Sequence, residues 1–210
     1  TILTKNPALL TNSEYLEVLA EIIRLPESHA CKEMFNSALP PLRVEVSVAF
    51  KDQANASFYD PGAPSINSRL SAIETLRKNG IPVVLRIDPL LPRNPLPNRK
   101  LLEDFQLPDA QSLSELESLV SFARDNQLLH IVYSVAKVVM PRYKPMVKPM
   151  SRLKQVYEHI ADGEKLIFRG GSWRLPDKLA QVHIVKPFVE ICNRYGMNVY
   201  YCKQNLLKTP

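Results

Sequence analysis

The sequence predicts an α/β protein built on parallel strands, and three observations carry that expectation. Apolar, strand-like segments alternate with amphipathic helical ones along the 210 residues, an order that yields a parallel sheet or an α/β barrel. The segment IPVVLRI at 81–87 is too apolar for a half-solvated strand and reads as a parallel strand covered on both faces. The segment before it, 65–80, carries its own helix start and stop. Ser65 or Asn67 can cap it, and Leu70, Ile73 and Leu76 recur at helical spacing. Lys78 suits the C-terminal end of the dipole, Gly80 takes the left-handed position, and Pro82 bars continuation. Arg86 and Asp88 end the strand beside Pro89 and Pro92. Charges at the C-terminal end of a buried parallel strand are where α/β folds place their sites.

The remaining elements follow in order. Residues 1–5 read as a short strand ending in Lys5 and Asn6. Residues 12–24 form an amphipathic helix with Tyr15, Leu16, Val18, Leu19, Ile22 and Ile23 inward. A shorter helix is expected at 28–37, stopped by Pro40, and the next strand at 42–50. A long loop at 51–64 carries the turn FYDPGAP. A second long loop spans 89–108. Ser112 and Glu115 have capping-box spacing and start a helix over 112–126. An apolar strand follows at 128–135, then irregular chain at 136–149 and a helix at 150–162 with Gly163 beyond its end. A weak strand at 165–168 precedes the turn RGGSWRLP. A long helix over 176–195 starts near Pro176 and is expected to kink at Pro187. The last strand spans 198–202.

Composition narrows the function classes. The chain is long enough for one domain with a substantial core. Lys and Arg number 27 against 21 Asp and Glu, a net charge of +6 that is compatible with an anionic partner without requiring one. Cys31, Cys192 and Cys202 form neither an even framework nor a CxxC pair, which points to free thiols in a reducing compartment. With no signal-peptide pattern and no long apolar run, a soluble cytoplasmic protein is expected. The start at Thr1, directly on a strand-like ILTKN, suggests a fragment of a longer chain.

Three strands carry polar side chains on one face only, because side chains alternate across a strand. Arg43, Glu45, Ser47 and Ala49 share a face, as do Val84, Arg86 and Asp88, and His130, Val132 and Ser134. Buried charges must pair with each other or with a ligand. One reading is an internal ion-pair network, Glu45 with Arg86 or Asp88 with Arg43. The other is a lumen that receives a polar, zwitterionic or sugar-bearing ligand.

TKNP at a strand end, the strand VEVSVAF, and FYDPGAPSINSRLSAIETLRKNGIPVVLRIDPLLP together resemble the radical S-adenosylmethionine (radical SAM) superfamily, and within it the group related to spore photoproduct lyase. The likeness covers residues 1–135 and is diffuse over 136–210. The long segment is its specific part. It implies a partial, TIM-like parallel (β/α)6 barrel over 1–135, with 136–210 as a basic loop and helical C-terminal extension. It also implies S-adenosylmethionine and a [4Fe–4S] cluster bound at the strand C-termini. By the resemblance, Lys5 contacts the S-adenosylmethionine carboxylate, Ser47 sits at its ribose or amino group, and Arg86 and Asp88 lie where the fifth strand approaches the cofactor. Glu45, His130 and Ser134 join them from the strand-face argument alone. No spacing of the three cysteines reproduces the CxxxCxxC that holds the cluster in this superfamily. The expectation is therefore the C-terminal part of a longer enzyme whose preceding residues carry that motif, or a degenerate relative without cluster chemistry.

In the second half, residues 136–157 hold six basic side chains and no acid. They read as a solvated basic loop, or as a surface that tracks phosphates through Arg142, Lys144, Lys148 and Arg152. In RGGSWRLP, Trp173 either grips a ligand with an arginine or plugs the barrel. Cys202 reads as a hydrogen-atom donor, an extra cluster ligand or a buried structural thiol, and His159 and His183 as structural. The combined expectation is a lyase-like radical SAM enzyme that, when intact, makes a 5′-deoxyadenosyl radical and acts on nucleic acid. The alternative is a non-catalytic module that binds a nucleotide in the lumen or nucleic acid on the basic face.

Overall fold

In the computed structural model, which describes residues 1–24, 40–94, 101–139 and 148–202 (backbone alone at 148 and 149), the chain opens with β1 (Ile2–Thr4). A 3-10 turn (Pro7–Thr11) leads into α1 (Ser13–Arg24). Leu19 is buried and Leu16, Ile22 and Ile23 pack on the core, but Tyr15 and Val18, expected inward, are 53% and 52% exposed. The helix buries a stripe narrower than its apolar face. The helix expected at 28–37 lies outside the described residues.

The next strand, β2 (Val44–Ser47), is shorter than expected, although Val48 still donates to the Arg86 carbonyl at 2.9 Å. The expected loop at 51–64 contains α2 (Gln53–Tyr59). Asp52 caps that helix by accepting from the Asn55 N–H at 2.9 Å, and the stretch it opens is free of Gly and Pro. Ser65 caps α3 (Ile66–Lys78), and Gly80 ends it at a φ of +73°, a conformation that favours glycine.

β3 (Val83–Leu90) runs past Ile87, and its register on the next strand shifts between Ile87 and Leu90, the interval that holds Pro89 with no N–H to give. α4 (Leu101–Asp104) is a short turn inside the expected 89–108 loop. α5 (Leu113–Asp125) has its capping box: the Glu115 N–H donates to Ser112 Oγ at 3.3 Å and the Ser112 N–H to the Glu115 carboxylate at 2.9 Å.

β4 (Ile131–Val135) and β5 (Val138–Val139) are followed by α6 (Lys148–Ala161). β6 (Ile167–Arg169) and β7 (Ser172–Arg174) form a hairpin. One kinked helix was expected next. The chain is helical without a break through α7 (Asp177–Ala180), a π-helical turn (Gln181–Val185) and α8 (Lys186–Arg194), and the irregularity falls just ahead of Pro187. Pro187 has no N–H for the carbonyl four residues back, and the ladder widens until the Lys186 N–H donates to the Gln181 carbonyl. β8 (Val199–Tyr201) is the last strand.

Five strands make the main sheet, in the order β1–β2–β3–β4–β8, every pair parallel. Spatial and chain order coincide, so each connection steps to the next neighbour in one direction. This is an α/β fold. The expectation of βα alternation throughout is corrected by a second sheet, β5–β7–β6, which is antiparallel. Its β6–β7 connection is Gly170 and Gly171 alone, too short for a crossover. Trp173 belongs to that hairpin, its ring beside Phe168 and under the Lys154 ammonium, 5.5 Å away. No described helix is long and apolar enough to cross a membrane.

One face of the main sheet is continuous core. Val44, Val46, Val83, Leu85, Ile87 and Ile131 are all fully buried, in one cluster with Ile73 and Leu76 of α3, Leu116 and Val120 of α5, and Phe188 of α8. The other face carries Glu45, Ser47, Arg86, Val132 and Ser134, and its outermost positions, Leu3 and Tyr200, are exposed.

Leu85, at the centre of the apolar face, tests that layering. Leu85→Ala is expected to lower unfolding stability by about 2–5 kcal/mol, because the surrounding strands and helices cannot collapse onto the vacated volume. Urea titration measures it. A loss well under about 1 kcal/mol would mean that this face is not packed as described.

Candidate functional site

The polar face converges at the C-terminal ends of the strands on one side chain, Arg86. Strand register sets Arg86 beside Ser47 on β2 and Val132 on β4. Its Nη1 donates to Glu45 Oε2 at 2.6 Å and its Nη2 to Asp88 Oδ2 at 2.7 Å. Nη2 also reaches Cys202 Sγ at 2.9 Å, just past β8. Arg43 Nε holds the other Glu45 oxygen at 3.2 Å. The Ser134 hydroxyl donates to Asp88 Oδ1. Of the two pairings read from the sequence, Glu45 with Arg86 forms, while Asp88 goes to Arg86 and Ser134 rather than to Arg43.

The charges in this network are set by their neighbours. Burial pushes the Glu45 carboxyl up, but the hydrogen bonds and charges of Arg86 and Arg43 outweigh it, and the group lies below its ordinary value. Burial works against the Arg86 cation, yet contacts with Cys202, Glu45 and Asp88 raise it further above its already high value. His130 lies edge-on to Tyr200, and burial, then the Arg43 charge, lowers its imidazole.

A cavity of about 100 Å³ opens beside this network, lined by Lys5, Ser47, Asp60, Arg69 and Asp88 among others. Lys5, expected to contact a ligand carboxylate, is engaged by both oxygens of Asp60 at 2.8 Å. Arg69 is 2% exposed. Its Nε donates to the Pro64 carbonyl and its Nη1 to the Ser47 carbonyl, each at 2.9 Å, and its Nη2 is buried without a partner. Burial depresses this guanidinium despite the nearby Asp60 charge. Arg69 was not singled out in the sequence, yet a signal existed: it lies within the buried stripe of α3, between Ile66 and Ile73.

The structure thus brings Glu45, Ser47, Arg86, Asp88 and Ser134 together, with Lys5 at the rim. Of the expected nucleic-acid contacts, only the Arg152 side chain is among the described residues. Arg142 and Lys144 lie outside the described residues, as does the Lys148 side chain, and Arg152 donates to Gln106 Oε1 at 2.6 Å and to its carbonyl at 3.1 Å.

The described residues suit a polar organic ligand better than an iron–sulfur cluster. They contain no group of three His, Cys, Asp or Glu side chains that could hold a metal. Cys192 sits in the core, where burial pushes its thiol up to about 12 and disfavours the thiolate a cluster needs. Cys202 is exposed and held by Arg86, and Cys31 lies outside the described residues. Lys5, Arg69, Asp60 and Asp88 instead line one small cavity, a mixed-charge wall. No family model and no curated protein matches the chain.

The depressed Glu45 carboxyl makes stability depend on pH. A carboxyl whose folded pKa lies below its unfolded one contributes stability above the unfolded value and loses it as pH falls through the folded value. Stability is therefore expected to hold from neutral pH down to about 5 and to fall below about 4, where carboxylates ordinarily titrate. Glu45→Gln should cost roughly 2 kcal/mol at pH 7 and flatten that acid limb, so the two curves converge in acid. Urea titrations at several pH values measure both. Parallel curves would show that Glu45 is not the group responsible.

Proposed function

We propose that the strand-end site binds S-adenosylmethionine, and that the chain is the C-terminal part of a radical SAM enzyme whose [4Fe–4S] cluster is held by cysteines outside the described residues. The observation that carries this reading is the charge layout at the cavity. Lys5 and Arg69 on the cavity wall suit a carboxylate, and Asp88 suits an ammonium. Those are the two charges at the amino-acid end of S-adenosylmethionine. Lys5 completes the rim, Ser134 holds Asp88, and Glu45 acts from behind by orienting Arg86. A cavity of about 100 Å³ takes such a head group. The rest of the ligand then extends over the open polar face.

The finer architecture proposed is a partial, TIM-like (β/α) barrel with the C-terminal helices packed on it. Parallel strands in unbroken chain order support it. With its cluster, S-adenosylmethionine supplies 5′-deoxyadenosyl radical chemistry, while this chain's residues bind and orient. The proposed substrate class is nucleic acid, supported by the basic run at 136–157. Free thiols suit a reducing, cytoplasmic setting.

Isothermal titration with S-adenosylmethionine tests the reading. Saturable binding is expected, and Ser47→Ala and Asp88→Asn should each weaken it by roughly tenfold, the worth of one buried hydrogen bond. Arg142→Ala and Lys144→Ala should leave it unchanged, and should weaken oligonucleotide binding with a smaller salt slope. Oligonucleotide binding with no S-adenosylmethionine binding would discard the enzyme reading in favour of a non-catalytic module on a degenerate barrel.

A further inference from the structure

Asp60 stands on the wall of the strand-end cavity with both carboxylate oxygens 2.8 Å from Lys5 Nζ. The two residues are 55 positions apart in the chain, Lys5 just past β1 and Asp60 just past α2. Both side chains keep accessible surface, 53% for Lys5 and 26% for Asp60, and both line the cavity. The Asp60 charge also supports the buried Arg69 cation on the same wall. A carboxylate of the protein thus already serves Lys5 and Arg69, the cations assigned above to the carboxylate of a ligand.

The two partners differ in their freedom. The Asp60 backbone is held on both sides: its N–H donates to the Ala56 carbonyl at 2.8 Å, and its carbonyl accepts from the Ala63 N–H at 3.3 Å. The preceding Tyr59 stacks on Phe50, and its hydroxyl donates to the Pro108 carbonyl at 2.9 Å. Lys5 instead carries its ammonium on a flexible four-carbon stem, half in solvent. Of the two, Lys5 is the one free to turn toward an entering ligand.

An ion pair with this much accessible surface shifts an equilibrium by about fivefold at most. Passing the Lys5 ammonium from one carboxylate to another keeps the kind of bond and changes only the partner, so the exchange costs little. The pair holds Lys5 while the site is empty, yet it yields to a ligand that brings its own carboxylate.

We propose that Asp60 is the internal competitor of the strand-end site: it holds Lys5 in the empty protein and is displaced from it by the carboxylate of the ligand. Asp60 therefore sets the affinity for ligands that carry a carboxylate and for no others. It is a positioning residue, acting through Lys5. The exchange rests on the S-adenosylmethionine reading of this cavity and adds to it the residue that controls entry of the amino-acid end.

Isothermal titration of the whole chain and its Asp60 variants with S-adenosylmethionine and with decarboxylated S-adenosylmethionine tests the exchange. The second probe keeps the adenosine, the sulfonium and the ammonium and lacks only the carboxylate. Asp60→Asn and Asp60→Ser, each checked for folding by its melting profile, are expected to bind S-adenosylmethionine about threefold to fivefold more tightly. Neither should gain affinity for the decarboxylated probe. In a Lys5→Met background the same substitutions should bring no gain for either ligand. A gain shared by both probes, a gain that survives in Lys5→Met, or no gain at all overturns the exchange while S-adenosylmethionine binding itself stands. Binding of S-adenosylmethionine to neither the unaltered chain nor the Asp60 variants overturns the reading of the cavity, and the exchange with it.

Discussion

A single buried guanidinium ties the ends of the strands together. Arg86 stands on the third of five parallel strands and is 7% exposed. It bonds to Glu45 on β2, to Asp88 on its own strand and to Cys202 just past β8, and Asp88 passes the link to Ser134 on β4. An unpaired charge at that depth would cost several kcal/mol, so these groups are stable only together. The requirement also constrains register. A one-residue slip of β3 would turn Arg86 into the apolar layer and Leu85 out of it.

Beyond the last ladder bonds, side chains hold the loops that leave those strands. Gln111, 1% exposed, donates to the Ala49 and Pro89 carbonyls and accepts from the Leu91 N–H. Arg69 does the same for the Ser47 and Pro64 carbonyls, and Tyr157 for the Ala136 carbonyl. Each satisfies buried backbone groups that have left regular structure. The outcome is a hydrogen-bonded rim on the edge where parallel sheets carry their sites.

Much of the strand-end site was legible. Alternation along three strands placed Glu45, Ser47, Arg86 and Ser134 on one face without any tertiary information, because the pleat has period two. Arg69 was legible in principle, as a charge inside an apolar helical stripe. The contact between Arg86 and Cys202 spans 116 residues, and that between Lys5 and Asp60 spans 55. No local pattern encodes either, since both depend on which strands become neighbours. Tyr15 and Val18 show the converse, apolar residues at helical spacing that burial passed over.

By itself the sequence determined the local elements and their class. The Ser65 cap, Gly80, the Ser112–Glu115 box and the apolar run of β3 act over a few residues, and the structure contains each of them. Only the tertiary structure decided the strand order, the antiparallel β5–β7–β6 sheet, the π-helical turn ahead of Pro187, and which charges pair and which stay open. Those outcomes depend on packing between segments far apart in the chain, where the low dielectric of the interior makes every polar group find a partner or leave a site.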